Sequence, residues 1–188
     1  MIALWLVALG AGGASLPLDA HILARLHPAD RTLWVDAAWA VTWLGDGVVL
    51  VPLAVATAGF LMIRRRWAEA LTLIAVTASV RLLVTVQKHG FGHARPDVHQ
   101  WMPESAPGFP SGHAANSLIT WVALAMLLTG SRSAMAAALV LSFLVGLSRV
   151  VLGVHWPSDV IGGWALGALA AVVLWHIRIR LARAVGRP

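Results

Sequence analysis

The chain contains no cysteine, which excludes disulfides and thiolate-ligated metal centres. Charge is scarce as well: Asp, Glu, Lys and Arg make up 12% of 188 residues, and the 8 acidic residues are outnumbered by 14 Lys and Arg. So little charge, beside 59% hydrophobic residues and a mean hydropathy of +0.79, excludes an ordinary water-soluble domain. A net charge of +6 would suit nucleic acid if the cations formed a solvated face, but several of them punctuate apolar runs. That is the pattern of membrane topology, so the sequence predicts an integral membrane protein with the bilayer, and no nucleic acid, as partner.

Six apolar segments stand out, at 2–17, 38–62, 67–87, 114–130, 133–152 and 159–177. Most have the ~20 residues that a helix needs to cross a bilayer. The first is short. Its opening, MIALWLVALGAGG, lacks the positive charge that leads a secretory signal, so a short or tilted first span is expected instead of a cleaved peptide. Arg64, Arg65 and Arg66 lie between the second and third segments, Arg132 between the fourth and fifth, and Arg178, Arg180, Arg183 and Arg187 follow the sixth. By the positive-inside rule these mark the cytoplasmic side and put both termini there. Trp67 and Trp175 suit the inner interface; Trp34, Trp101 and Trp156 suit the outer one. The expected fold is all-α, a six-helix transmembrane bundle forming one domain over 1–188.

Depth can be counted along the helices. Lys88 lies 22 residues after Arg66, His113 lies 19 before Arg132, Arg149 lies 17 after it, and Asp159 lies 19 before Arg178. At 1.5 Å of rise per residue these separations span roughly 26–33 Å, about one hydrocarbon thickness. The polar residues of three helices and two loops are therefore expected at one level, the outer membrane surface.

Three clusters meet at that level: KHGFGHARP with Lys88 and Arg95, FPSGHAANS with Ser111, Gly112 and His113, and SRVVLGVHWPSD with Arg149, His155 and Asp159. Three fixed cations, a hydroxyl and an open backbone N–H suit a tetrahedral phosphate. Ser111 stands just ahead of the fourth apolar helix, where unpaired N–H groups and the positive dipole end attract anions; it is the expected N-cap as well as a phosphate donor. If the sixth helix begins near His155, Asp159 follows at i+4 and can hold one ring nitrogen as N–H, leaving the other with its lone pair free to attack. His113, on a different helix, is free to protonate the leaving oxygen and then to accept a proton from water.

These three stretches resemble the signature motifs of the type 2 phosphatidic acid phosphatase superfamily: lysine, six residues, then Arg-Pro; PSGH; and Ser-Arg, five residues, His, three residues, Asp. All are intact and in the family's order. The resemblance implies that Lys88, Arg95, Ser111, Gly112 and Arg149 bind the phosphate. It further implies that His155 forms a phosphohistidine, Asp159 orients it, His113 serves as acid and then base, and no metal or other cofactor is required. An outward-facing site in a chain of bacterial character, read from its compact length and Ala/Arg-rich composition, makes undecaprenyl diphosphate the leading substrate and the bacterial inner membrane the expected location. Phosphatidylglycerol phosphate, phosphatidic acid and a lipid A phosphate would be served by the same residues. A non-catalytic transporter or channel has no use for His113, His155 and Asp159 together. The related vanadium haloperoxidases are larger and soluble, which the apolar spans disfavour.

Other polar residues have plainer expectations. His89, His93, Asp97 and His99 suggest a metal cluster, but Gly90, Gly92 and Pro96 argue against one helix face, so a solvated lid over the headgroup, running through PDVHQWMPESAPGFP, is expected instead. Asp46 falls near the outer level, and Arg81 lies 7 residues before Lys88 within the third span. An ionisable group at such depth usually finds a partner, so Arg81 is expected to pair with Asp46 or with backbone carbonyls in support of the site. His21, His27 and His176 are expected at the interface. The small residues of GGWALGALAA permit close helix packing, within the bundle or between subunits, and leave the oligomeric state open.

Overall fold

The computed structural model describes residues 16–184. Its elements are α1 (Pro17–Leu26), α2 (Leu33–Thr42), a 3-10 turn (Trp43–Gly45), α3 (Gly47–Ile63), α4 (Trp67–Phe91), α5 (Gly112–Leu124) with a π-helical end (Ala125–Thr129), α6 (Arg132–Val151) and α7 (Pro157–Ala184). Among the described residues, five helical stretches are long and apolar enough to cross a membrane, the first being α2 and α3 together. The apolar segment expected at 2–17 lies outside the described residues but for its last two positions.

α5 is the axis of the bundle. It packs against α7, α6, α4 and α3, and every position from 114 to 120 is buried. The outer helices reverse the polarity of a soluble protein: Val51, Val55 and Phe60 on α3, Leu71 and Leu82 on α4, Phe143 on α6 and Val172 on α7 are all exposed. In a bilayer this surface meets lipid, so its exposure carries no hydrophobic cost. Association must then come from close packing. The glycines of α7 supply it, since a Cβ at Gly163 would lie 2.5 Å from the Ser111 carbonyl oxygen and one at Gly167 would lie 2.7 Å from that of Ala115. The small-residue stripe is thus used inside the bundle, between α7 and α5.

At the end away from the motifs, Arg66 pairs with Glu69 and donates to the Leu127 carbonyl at 2.8 Å, joining the start of α4 to the π-helical end of α5. This contact satisfies one of the carbonyls a helix C-terminus leaves open.

Two features depart from the sequence expectation. The segment 38–62 is not one helix: the chain breaks at Asp46, whose carboxylate accepts the Val48 N–H at 2.8 Å and starts α3 afresh. Asp is a strong N-cap, and here it overrides the continuous apolar run. The second is α1, a helix that the apolar pattern does not mark, although Leu16, Pro17 and Asp19 form a helix start in which the Asp19 carboxylate accepts the Leu16 N–H at 2.9 Å. Asp19 is buried and also accepts the Ser158 N–H and the Ser158 hydroxyl, both at 2.8 Å, so α1 caps the first turn of α7. Asp19→Ala should destabilise the protein by about 1–3 kcal/mol by orphaning these donors, which thermal unfolding in detergent would measure.

Candidate active site

Four helix ends meet opposite the Arg66 contact. Lys88 lies in the last turn of α4, Gly112 and His113 open α5, Arg149 lies in the last turn of α6, and Asp159 lies in the first turn of α7. Arg95 and His155 come from the connecting segments. The convergence inferred from counting residues is present.

Asp159 is the hub. Fully buried, it accepts the Trp156 N–H at 3.0 Å and faces His155 Nδ1 at 3.2 Å through Oδ2, while Oδ1 faces His93 Nδ1 at 2.8 Å. α7 begins at Pro157, so His155 precedes the helix, and the turn through Trp156 brings its ring to Asp159. Pro157 suits that first position because its missing N–H would have had no helical partner. Burial pushes the His155 imidazole well down, to about 3, against the opposing pull of Asp159. The ring is therefore neutral at physiological pH. With Nδ1 engaged by Asp159, Nε2 keeps its lone pair, and the Arg95 guanidinium stands 3.4 Å from it.

Around this nitrogen lie the cations. Arg95 also donates to the Ala106 carbonyl at 2.7 Å and to the Val154 carbonyl. Arg149 has no exposed surface; it donates to the Thr42 hydroxyl at 2.9 Å and to Glu104 Oε1 at 2.6 Å. Lys88 donates to the Pro107 carbonyl and to that of Gly108 at 3.3 Å. Ser111 occupies the N-cap position of α5, as expected, but its hydroxyl caps nothing. Instead Ser111 Oγ, His113 Nε2 and Arg149 Nε are buried without hydrogen-bond partners. Buried polar atoms without partners are rare, and three in one site amount to unused capacity for a polar ligand. Gly112, as the first residue of α5, adds an N–H with no carbonyl to receive it within the helix.

The expected partnership of Asp46 with Arg81 is not formed. Asp46 Oδ2 faces His113 Nε2 at 3.5 Å, and Arg81 forms no ion pair among the described residues. The Arg81 guanidinium lies over Gly47, where a Cβ would come within 3.0 Å of it, because the helix break swings Asp46 toward α5. Of the histidines expected in the lid, His89 bonds the Thr85 carbonyl at 2.8 Å and His99 packs edge-on against Trp101.

Two members of the site escape sequence reasoning. His93, expected in a solvated lid, is buried, and its hydrogen bond to Asp159 pushes its pKa up. The available signal is its position two residues before Arg95, in a stretch that already carries site residues. Glu104, also expected in the lid, reaches Arg149 and stands 3.8 Å from Arg95. His27, expected at the interface, bonds the Val151 carbonyl at 2.9 Å.

The chain is similar to known proteins in sequence and in fold. The PAP2 superfamily profile matches residues 69–183, more than half of the chain. Phosphatidylglycerophosphatase B of Bacillus subtilis is 36% identical over 149 residues, covering 74% of this chain and 73% of its own. An undecaprenyl-diphosphatase of Sulfolobus acidocaldarius is 33% identical over 118 residues, 60% of this chain and 56% of its own. Among solved structures, the PAP2-type phosphatidylglycerolphosphate phosphatase from Bacillus subtilis superposes with a TM-score of 0.85 at 29% identity, covering 95% of this chain and 96% of that one. A multi-pass helical bundle, the family match and these relatives lead to one conclusion: the chain is a membrane lipid phosphatase and belongs to the PAP2 superfamily.

Proposed function

We propose that this single-domain protein hydrolyses the terminal phosphate of a membrane lipid through a phosphohistidine on His155. The observation that carries the reading is His155 itself: its Nδ1 faces Asp159 at 3.2 Å while its Nε2 lies 3.4 Å from the Arg95 guanidinium. A phosphoryl group bound by Arg95, Arg149, Lys88, Ser111 and the Gly112 N–H would meet that lone pair directly. Nε2 attacks phosphorus, the P–O bond to the lipid breaks, and His113 protonates the departing oxygen. Water, deprotonated by His113, then cleaves the N–P bond, releasing inorganic phosphate and restoring both imidazoles. The cations offset charge on the equatorial oxygens, the electrostatic role that often dominates such transfers. No step requires a metal.

Of the candidate lipids, phosphatidylglycerol phosphate is favoured by the Bacillus subtilis relative, whose match extends over 74% of the chain. Undecaprenyl diphosphate, the leading substrate on sequence grounds, keeps the support of the Sulfolobus relative. The proposed orientation puts the site at the outer face of a bacterial inner membrane, with Arg64, Arg65 and Arg66 in the cytoplasm. Phosphate release by the purified protein in EDTA, measured across these two lipids and phosphatidic acid, tests the reading. Turnover of one lipid at least about tenfold above the others identifies the substrate; no turnover of any lipid by folded protein would overturn the phosphatase reading.

A further inference from the structure

Glu104 lies where a substrate phosphate would bind. Its Oε1 accepts from Arg149 Nη2 at 2.6 Å and its Oε2 stands 3.8 Å from Arg95 Nη2, so one carboxylate spans two of the three cations assigned to the phosphate. Its backbone is held as well: the Glu104 N–H donates to Gln100 Oε1 at 3.2 Å, and neighbouring Trp101 donates its N–H to the Leu152 carbonyl at 3.1 Å and its indole N–H to the Pro28 carbonyl at 3.3 Å. The Glu104 side chain remains about one-third exposed, so the carboxylate has open space to swing into. Arg149, by contrast, is wholly buried and also held by Thr42 and Met102.

A site at headgroup level meets a large excess of phospholipids whose phosphate is a diester. A cationic pocket left open would fill with them. A phosphodiester carries one negative charge, whereas a terminal phosphate carries about −1.5 to −2 near neutral pH. Exchanging Glu104 for a diester exchanges one charge for one, and the tethered carboxylate competes at an effective concentration on the order of millimolar. Exchanging it for a terminal phosphate gains about half to one full charge against Arg149, Arg95 and Lys88. We propose that Glu104 is a specificity-determining residue, a built-in competing anion that keeps phosphodiester lipids out of the pocket and yields to a terminal phosphate. The inference rests on the assignment of this pocket as the phosphatase site.

The test uses the full-length protein in detergent, with dioctanoyl phosphatidic acid as substrate and dioctanoyl phosphatidylglycerol as the diester competitor. Glu104→Gln should lower KM and should lower the Ki of the diester about tenfold or more, equivalent to ~1.4 kcal/mol, with kcat changed by less than about threefold. Glu104→Asp, which keeps the charge, should resist the diester as the wild type does. In the wild type, inorganic phosphate at pH 7.5 should inhibit at least about tenfold more tightly than dimethyl phosphate, a comparison that needs no variant. An unchanged diester Ki in Glu104→Gln, loss of resistance in Glu104→Asp, or equal inhibition by the two soluble anions would each overturn the proposal. Its failure is separable from failure of the phosphatase reading, because the latter would appear as no phosphate release from any lipid by the folded wild-type protein.

Discussion

Replacing His155 with alanine should lower kcat by at least about 10^4-fold and leave the protein folded. The fold should survive because Asp159, the buried carboxylate exposed by the change, keeps the His93 ring at 2.8 Å and the Trp156 N–H at 3.0 Å. The loss should be large because, on the proposed mechanism, this imidazole is the group that bonds to phosphorus, with its Nε2 3.4 Å from the Arg95 guanidinium. Removing a nucleophile leaves only the contribution of binding and charge. The measurement is single-turnover hydrolysis of lipid labelled at its terminal phosphate. Wild-type protein should retain label that is stable to base and released by acid; His155→Ala should retain none. Since burial pushes His155 down to about 3, the nucleophile stays unprotonated from pH 4 upward. On the proposed mechanism, a loss of rate between pH 5 and 7 is expected to come from groups other than His155. Full label in the variant would remove His155 from the mechanism.

Arg149→Lys should cost about 10^2 to 10^3 in kcat/KM despite keeping the charge. Arg149 uses its two terminal nitrogens in different directions: Nη1 to Thr42 at 2.9 Å, Nη2 to the carboxylate position at 2.6 Å. One hydrogen bond fixes the plane and the other holds the Glu104 carboxylate, where the phosphate is proposed to bind. Lysine has neither the fork nor the reach, and as a point charge it cannot satisfy both ends. Arg149→Ala should go further, losing stability too, since Glu104 and Thr42 would lose their partner. Steady-state kinetics beside thermal unfolding separate the two effects. A lysine variant with wild-type kcat/KM would mean that charge alone suffices.

Much of this architecture is legible in the amino-acid sequence. Counting helical residues from Arg66, Arg132 and Arg178 works because helical rise is fixed and a bilayer gives helices a common length. The same count cannot see a break inside an apolar run, so 38–62 reads as one helix and Asp46 as a partner for Arg81. Asp46 breaks the helix by a local hydrogen bond to Val48, which leaves no trace in apolar periodicity. The roles of His93 and Glu104 are illegible for a different reason. Both lie on the irregular segment between α4 and α5, where no period constrains which side chains turn inward. Glu104 meets Arg149 across 45 residues of sequence and His93 meets Asp159 across 66. Asp19 is hidden by greater distance still, reaching Ser158 across 139 residues.

That last contact has a consequence for biosynthesis. The ribosome makes α1 early and His155, Asp159 and α7 late, and a chain generally folds from its N-terminal part as it emerges. Until α7 docks, Asp19 has no Ser158 to cap, and the Ser111 N–H lacks the Asp159 carbonyl that accepts it at 2.9 Å. A nascent chain can thus assemble Lys88, Arg95 and Arg149 before it possesses the imidazole that would put them to use. On the proposed mechanism, catalytic competence therefore waits for α7, whose glycines pack against α5 and whose first turn takes the Asp19 carboxylate.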